Sequence, residues 1–345
     1  MEREGARYQL YVGVDIAADT FTAAWLAGDG RPSAPFIGEQ TPAGFAALQR
    51  RLRVAAGPAG TLVVLEATGN YWVALAVTLH EAGFPVAVVN PRQAYHFAKA
   101  QLRRAKTDAL DAQDLAQLAA ALRPAPWAPP PAVYHEVRQR LVVRDALLAM
   151  RTQARNQRHA LLQWPVVVEG VRQHLDELIA DLGRRVARLD AEIAAVLEES
   201  AWAESLACLC SAPGIGLVTA AWLLVSTLNF TLCAGPESLT AYAGLAPVPR
   251  ESGRSLRGRP SIGHDGNARL RTALSMATLS AARYNPAIKA FYQRLRAAGK
   301  PMKVARCAAA RKVLHQAWAL GSKLQRFDPD PEQQQQHAAP PELAA

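Results

Sequence analysis

The 345-residue chain is poor in cysteine, with four: Cys208, Cys210, Cys233 and Cys307. None forms a C-x-x-C pair and no histidine cluster accompanies them, which excludes a disulfide framework and a structural zinc site. They read as small apolar core residues. There is no Walker A motif and no glycine-rich phosphate loop in strand context. That excludes an actin-like ATPase, which a strand of the GVD type would otherwise suggest. The opening residues, MEREGARYQL, lack a basic segment followed by an apolar run, so no secretory signal is expected. Charge is missing altogether from Ser205 to Pro236, a stretch long enough to span a bilayer. Pro213, Gly214, Gly216 and Asn229 divide it, and it reads as short buried helices. No membrane partner is expected, and the cytoplasm, with nucleoid association, is the expected location.

Acidic residues are scarce in one segment. Between Arg250 and Lys312 stand 15 Lys/Arg against two acids, Glu251 and Asp265, a net +13 where the whole chain carries +10. The remainder is slightly acidic. Half of the residues are apolar, which supports folded domains. So polarised a charge favours a polyanionic partner, nucleic acid first.

Residues 8–122 alternate strand and helix patterns. YQLYVGVDI (8–16) and TLVVLEA (61–67) are near-continuous apolar runs typical of buried strands. FTAAWLAG (21–28) follows the first closely enough to form a hairpin. PVAVVN (85–90) is a further strand. Helices are expected over 42–55, 72–83, 92–102 and 107–121. A proline-rich linker occupies 123–132. Residues 133–200 carry leucines at helical and roughly heptad spacing, and read as a helical hairpin or dimerising coiled coil. Residues 204–322 read as a mainly helical third unit, and 323–345 as a low-complexity tail. The expected class is thus α/β, then a helical hairpin, then a mainly α-helical domain.

Asp15 and Glu66 each end a buried strand, where a carboxylate is costly unless paired or bound to a cation. If the strands are parallel, those ends are where such sheets place their sites. On a helix, Asp108 and Asp111 are about 60° apart around the axis and share a face. Asp114 is turned about 120° from Asp108, towards solvent or a structural role. Taken singly, each could cap a turn or serve a helix dipole. As a set, Asp15, Glu66, Asp108 and Asp111 can hold Mg²⁺, and two ions about 4 Å apart would stabilise the attacking and leaving oxygens of phosphoryl transfer.

VGVDIAADTF, LEATGNYW and KTDALDAQDLA resemble the three blocks of the first domain of the insertion sequence 110 family of transposases. SAPGIGLVTAAWLL, LTAYAGLAPVPRESGRS and GHDGNARLRTALSMATLSA resemble that family's second domain. The likeness runs over nearly the whole chain in the family's order. It implies a RuvC-like first domain in the ribonuclease H superfamily, with Asp15, Glu66, Asp108 and Asp111 as its catalytic tetrad. It also implies a serine nucleophile, matched here by Ser252, and target choice guided by a structured element-encoded RNA, the bridge RNA. His264 and Asp265 stand where the family often has Lys or Arg, which weakens the case for a phosphate contact there.

Ser252 is expected in a loop with Arg250, Arg254, Arg257 and Arg259, which could grip a phosphodiester. A serine there could form a covalent phosphoserine link to DNA, activated by a metal ion or by the carboxylates of the first domain. Ser255 and Ser261 are the rival nucleophiles. Gly214 and Gly216, in APGIG, read as a helix-hairpin-helix turn whose backbone N–H groups meet phosphate. Arg269, Arg271, Lys303 and Arg306 extend the basic surface. The reading is a transposase-recombinase acting on element-end and target DNA as a homodimer or tetramer. A hydrolytic junction nuclease and a non-catalytic DNA-binding protein are the alternatives.

Overall fold

A computed structural model of the chain describes residues 8–27, 30, 32–101, 107–252, 256–263 and 265–329, with backbone only over 248–252 and 256–261. The chain divides into two compact units, one running to Pro129 and the other from Pro130.

The first unit is built on a five-stranded sheet of order β3-β2-β1-β4-β5. The strands are β1 (Leu10–Ile16), β2 (Thr20–Leu26), β3 (Phe36–Glu39), β4 (Thr61–Glu66) and β5 (Val86–Val89). β1 and β2 form the antiparallel hairpin expected from the sequence, whereas β1, β4 and β5 run parallel. β3 was not legible in the sequence. It has four residues, one of them glycine, and sits at the sheet edge with half of its residues exposed.

Side chains alternate across the sheet, as the period of two requires. Leu10, Val12, Val14, Val63 and Leu65 face α1 (Pro42–Ala55) and α2 (Trp72–Glu81), meeting Phe45, Leu48, Leu52, Leu75 and Leu79. Leu62, Val64, Ala87 and Val89 face the other way, onto Leu115, Leu118 and Ala119 of α4 (Asp108–Leu122). The short α3 (Pro91–Ala100) buries none of its residues. The proline-rich segment is not a free linker throughout. Trp127 donates its backbone N–H to the Val86 carbonyl at 2.6 Å and packs edge-on against Trp72, with centroids 5.5 Å apart.

The second unit opens with two 30-residue helices, α5 (Ala132–Leu161) and α6 (Glu169–Glu198). Arg140 pairs with Glu192, Arg144 with Asp190 and Arg158 with Asp176. As one number rises the other falls, so the helices are antiparallel. Val137, Leu141, Ile193 and Leu197 at the base of this hairpin join one core with the helices that follow. Those are α7 (Ala203–Cys210), α8 (Leu217–Thr227), α9 (Pro236–Tyr242), α10 (Ala268–Tyr284), α11 (Pro286–Ala297) and α12 (Met302–Lys323). The charge-free stretch supplies α7 and α8, and every residue from Ala220 to Thr227 is buried. Among the described residues, no helix is long and apolar enough to cross a membrane. Between α9 and α10 lies an antiparallel hairpin, β6 (Pro247–Ser252) and β7 (Leu256–Ile262).

Candidate functional site

Asp15 lies one residue before the end of β1, and Glu66 is the last residue of β4. The parallel pairing brings Val14 opposite Leu65, so Asp15 and Glu66 come side by side at the same edge of the sheet. Adjacent strands lie about 4.8 Å apart. Val14 and Leu65 face α1 and α2, so the alternation turns their neighbours Asp15 and Glu66 to the face that α4 covers.

α4 reaches this edge because β1 has a glycine beneath it. A Cβ on Gly13 would stand 2.2 Å from the Ala112 carbonyl oxygen, 2.3 Å from the Ala116 nitrogen and 2.6 Å from Leu115 Cβ. Only a residue without a side chain lets the helix backbone settle so deeply on the strand. The Thr107 hydroxyl caps α4, accepting the Leu110 N–H at 3.3 Å, and places Asp108 and Asp111 in its first turn. That turn overhangs the end of β1.

The electrostatics of Asp15 record the convergence. Its pKa is raised from 3.8 to about 6, first by burial, then by the negative charges of Asp111, Asp108 and Glu66. The Ile16 backbone N–H opposes the rise by bonding the ionised form. Glu66 accepts a hydrogen bond from the Thr68 hydroxyl at 2.7 Å. Thr68 escaped the sequence reading, although LEATGNYW contains it.

The donor set is all oxygen, which suits a hard divalent cation. An ion bound there would relieve the mutual repulsion that raises Asp15. Among the described residues, no group of three or more His, Cys, Asp or Glu side chains stands at metal-holding distances. The carboxylates are neighbours without forming a closed cage.

Asp114 is only 7 % exposed. The option that it faces solvent is overturned, because α4 is covered on more than one side. The charges that raise Asp15 are those of Asp111, Asp108 and Glu66.

In the second unit Ser252 ends β6, paired with Leu256, rather than lying in a loop. Arg250 pairs with Gly258, Glu251 with Arg257, and Ser261 with Val248. Arg259 also lies on β7. Arg254, Ser255 and His264 fall outside the described residues. Two glycines hold the base of the hairpin. Gly244 (φ +69°) and Gly266 (φ +88°) approach so closely that a Cβ on Gly244 would meet the Asp265 carbonyl oxygen at 2.1 Å. A Cβ on Gly266 would meet the Gly244 nitrogen at 2.6 Å. Arg271 donates to the carbonyls of both Ala243 and Asp265, at 3.1 and 2.5 Å. Arg271 therefore clamps this junction, and Arg269 bonds Asp145 of α5 at 2.7 Å. Lys303 and Arg306 are exposed on α12.

The two glycines of APGIG divide. Gly214 (φ +106°) is pressed onto α10, where a Cβ would lie 2.7 Å from Ala281 Cβ and 2.9 Å from the Ala277 carbonyl oxygen. Gly216 caps α8, with open space where its Cβ would be.

Comparison with known proteins agrees with this arrangement. Residues 12–164 match a family model described as a transposase of the DEDD insertion sequence 110 type, and residues 206–293 one described as "Transposase IS116/IS110/IS902 family". The pilin gene-inverting protein of Moraxella bovis is 31% identical over 322 residues, 92% of this chain and 97% of that protein. Its Moraxella lacunata counterpart is 31% identical over 324 residues, 92% and 97%. The insertion element IS900 42 kDa protein of Mycobacterium paratuberculosis is 33% identical over 181 residues, 51% of this chain and 43% of that protein. The first match spans the carboxylate-bearing unit and runs on through α5, the second spans the serine hairpin, and the chain belongs to the IS116/IS110/IS902 family of transposases.

Proposed function

We propose that the protein is a DNA transposase-recombinase that cuts and rejoins strands by phosphoryl transfer, with Asp15, Glu66, Asp108 and Asp111 as the metal-holding tetrad and Ser252 as nucleophile. The observation that carries the reading is the convergence on Asp15 of charge from a second strand and a helix. The sheet order, with three antiparallel strands followed by two parallel ones, supports a RuvC-like fold of the ribonuclease H superfamily. Bound Mg²⁺, two ions in this reading, would stabilise charge on the attacking and leaving oxygens.

In the strand-transfer step Ser252 Oγ attacks phosphorus. The Oγ–P bond forms, the bond to one strand's oxygen breaks, and that oxygen leaves with the proton lost by serine. A strand hydroxyl then attacks the phosphoserine ester, restoring the serine and joining a new pair of strands. No external energy source is needed, since each ester bond replaces another. The arginines on and beside the hairpin would neutralise the phosphate. The relatives named for pilin gene inversion support recombination between two sites.

A structured guide RNA is part of the proposal through the family resemblance, and the basic second unit is compatible with it. Association of copies is supported by the turn between α5 and α6, where Leu162, Trp164, Val166 and Val168 are 43%, 68%, 79% and 61% exposed.

The test is to incubate the protein with Mg²⁺, element-end DNA and its flanking transcript, then seek a denaturation-resistant protein–DNA adduct. It should form with the wild type and be lost in Ser252→Ala. An adduct that persists in Ser252→Ala would reassign the nucleophile. Cleavage with free ends and no adduct would favour the hydrolytic reading, for which four carboxylates and water suffice.

A further inference from the structure

A cavity of about 610 Å³ opens in the second unit beside the serine hairpin. Its size is that of a small-molecule site. Leu245, Phe291, Val304 and Cys307 give it an apolar wall, while Lys303, Arg311 and Lys312 stand exposed at its margin. Two of these features are fixed by contacts. Lys312 Nζ lies 5.3 Å from the centre of the Phe291 ring. His315, which also lines the cavity, has Nε2 2.9 Å from the Thr240 hydroxyl oxygen.

That last contact sets the histidine's tautomer. The Thr240 hydroxyl already donates its proton to the Pro236 carbonyl at 2.7 Å. It must therefore accept from His315, whose Nε2 carries the hydrogen. The cavity thus combines apolar surface, an imidazole ring and three cations. That is the chemistry of a nucleotide with its base unstacked: a flat apolar body, a polar edge and a phosphate. A purely apolar peptide would leave the cations unmatched.

Its position ties it to catalysis. Pro247 and Ile262, paired at the base of the hairpin, also line the cavity. Ser252 lies five residues further along β6, at most about 17 Å away at 3.4 Å per residue. One strand of stacked DNA advances by about 3.4 Å per nucleotide. We propose that this cavity receives one unstacked base of the DNA strand about five nucleotides or fewer from the phosphate attacked by Ser252, and so fixes the register of the cut. The placement of the cut rests on the proposed serine chemistry, whereas base capture does not.

The test uses full-length protein and element-end duplexes carrying 2-aminopurine singly at positions within about five nucleotides of the cut phosphate. Fluorescence is read in the bound complex before cleavage, so it reports the pocket whether or not strand transfer follows. A several-fold rise is expected at one position. Ala308→Trp, which fills the cavity, and Val304→Trp, which fills it from an exposed position, should each abolish the rise. The surface variant Lys303→Glu should weaken binding of that duplex about tenfold, through loss and reversal of one phosphate-neutralising charge. No rise at any DNA position, a rise that persists in both tryptophan variants, or a response only from labelled transcript would overturn the inference. If the rise is seen but no serine adduct forms, the proposed nucleophile fails and the nucleotide pocket stands.

Discussion

Gly13 of β1 and Ala112 of α4 approach so closely that a single methyl group on Gly13 would come within 2.2 Å of the Ala112 carbonyl oxygen. This contact sets the height of α4 over the sheet, and with it the reach of Asp108 and Asp111 towards Asp15.

Gly13→Ala should therefore act on stability and catalysis together. Overpacking a tight interior contact costs about 1–3 kcal/mol. In a unit of this size that lowers the melting temperature by roughly 4 °C per kcal/mol. Strand cleavage measured well below the new melting temperature should still be reduced, because α4 has been lifted. Full activity in a destabilised variant would show that the helix position does not matter to the site.

Asp15 gives a pH prediction with a defined sign. Its folded pKa of about 6 is raised above the ordinary 3.8. Between those values the folded state holds a proton that the unfolded state has lost, so this contribution to stability is full below about pH 4 and is lost as pH rises through 6. Added Mg²⁺ should raise the melting temperature at pH 7.5 and have much less effect at pH 5. Asp15→Asn should remove both the pH trend and most of the Mg²⁺ response, seen by thermal denaturation. Cleavage should fall more than about 100-fold, beyond the loss typical for an outer partner of a metal site. An equal Mg²⁺ shift at both pH values would count against metal binding here.

Asp111 and Asp114 sit one helical turn apart and should separate cleanly. Asp111 adds to the charge on Asp15, whereas Asp114 is buried in the flank of α4. Asp111→Asn should abolish cleavage with little loss of fold. Asp114→Asn should keep most of the cleavage rate, and its effect should appear chiefly in the melting temperature. Comparable loss of cleavage in both would bring Asp114 into the site.

Gly214 and Gly216 should likewise part. Alanine at Gly214 meets both a positive φ and the backbone of α10, so a loss of more than about 1 kcal/mol is expected from conformation alone. Gly216→Ala replaces one uncapped N-terminal residue with another and should cost less than about 1 kcal/mol. Denaturant titration of both variants measures the difference. If Gly216→Ala weakens DNA binding while leaving the fold intact, the phosphate contact belongs to that glycine.

The local elements were written in the sequence. LYVGVDI and TLVVLE read as buried strands, because both faces of each are largely apolar over a short, β-branched run, and KTDALDAQD carries its own helix cap in Thr107. The short edge strand β3 and the serine hairpin were not legible. Four exposed residues carry no period, and an Arg- and Gly-rich stretch has the composition of a loop until two strands pair. The tetrad was recognisable as four residues, but not as one place. That depended on β1 and β4 running parallel, on the pleat turning Asp15 and Glu66 to the same face, and on Gly13 admitting α4 to it. A glycine inside a buried run permits a close approach, but the sequence does not say by what. Sequence alone determined which side chains are candidates for the chemistry, since residue type and local period are properties of the chain. Tertiary structure decided which of them meet, and buried Asp114 away from solvent, because both depend on contacts between residues far apart along it.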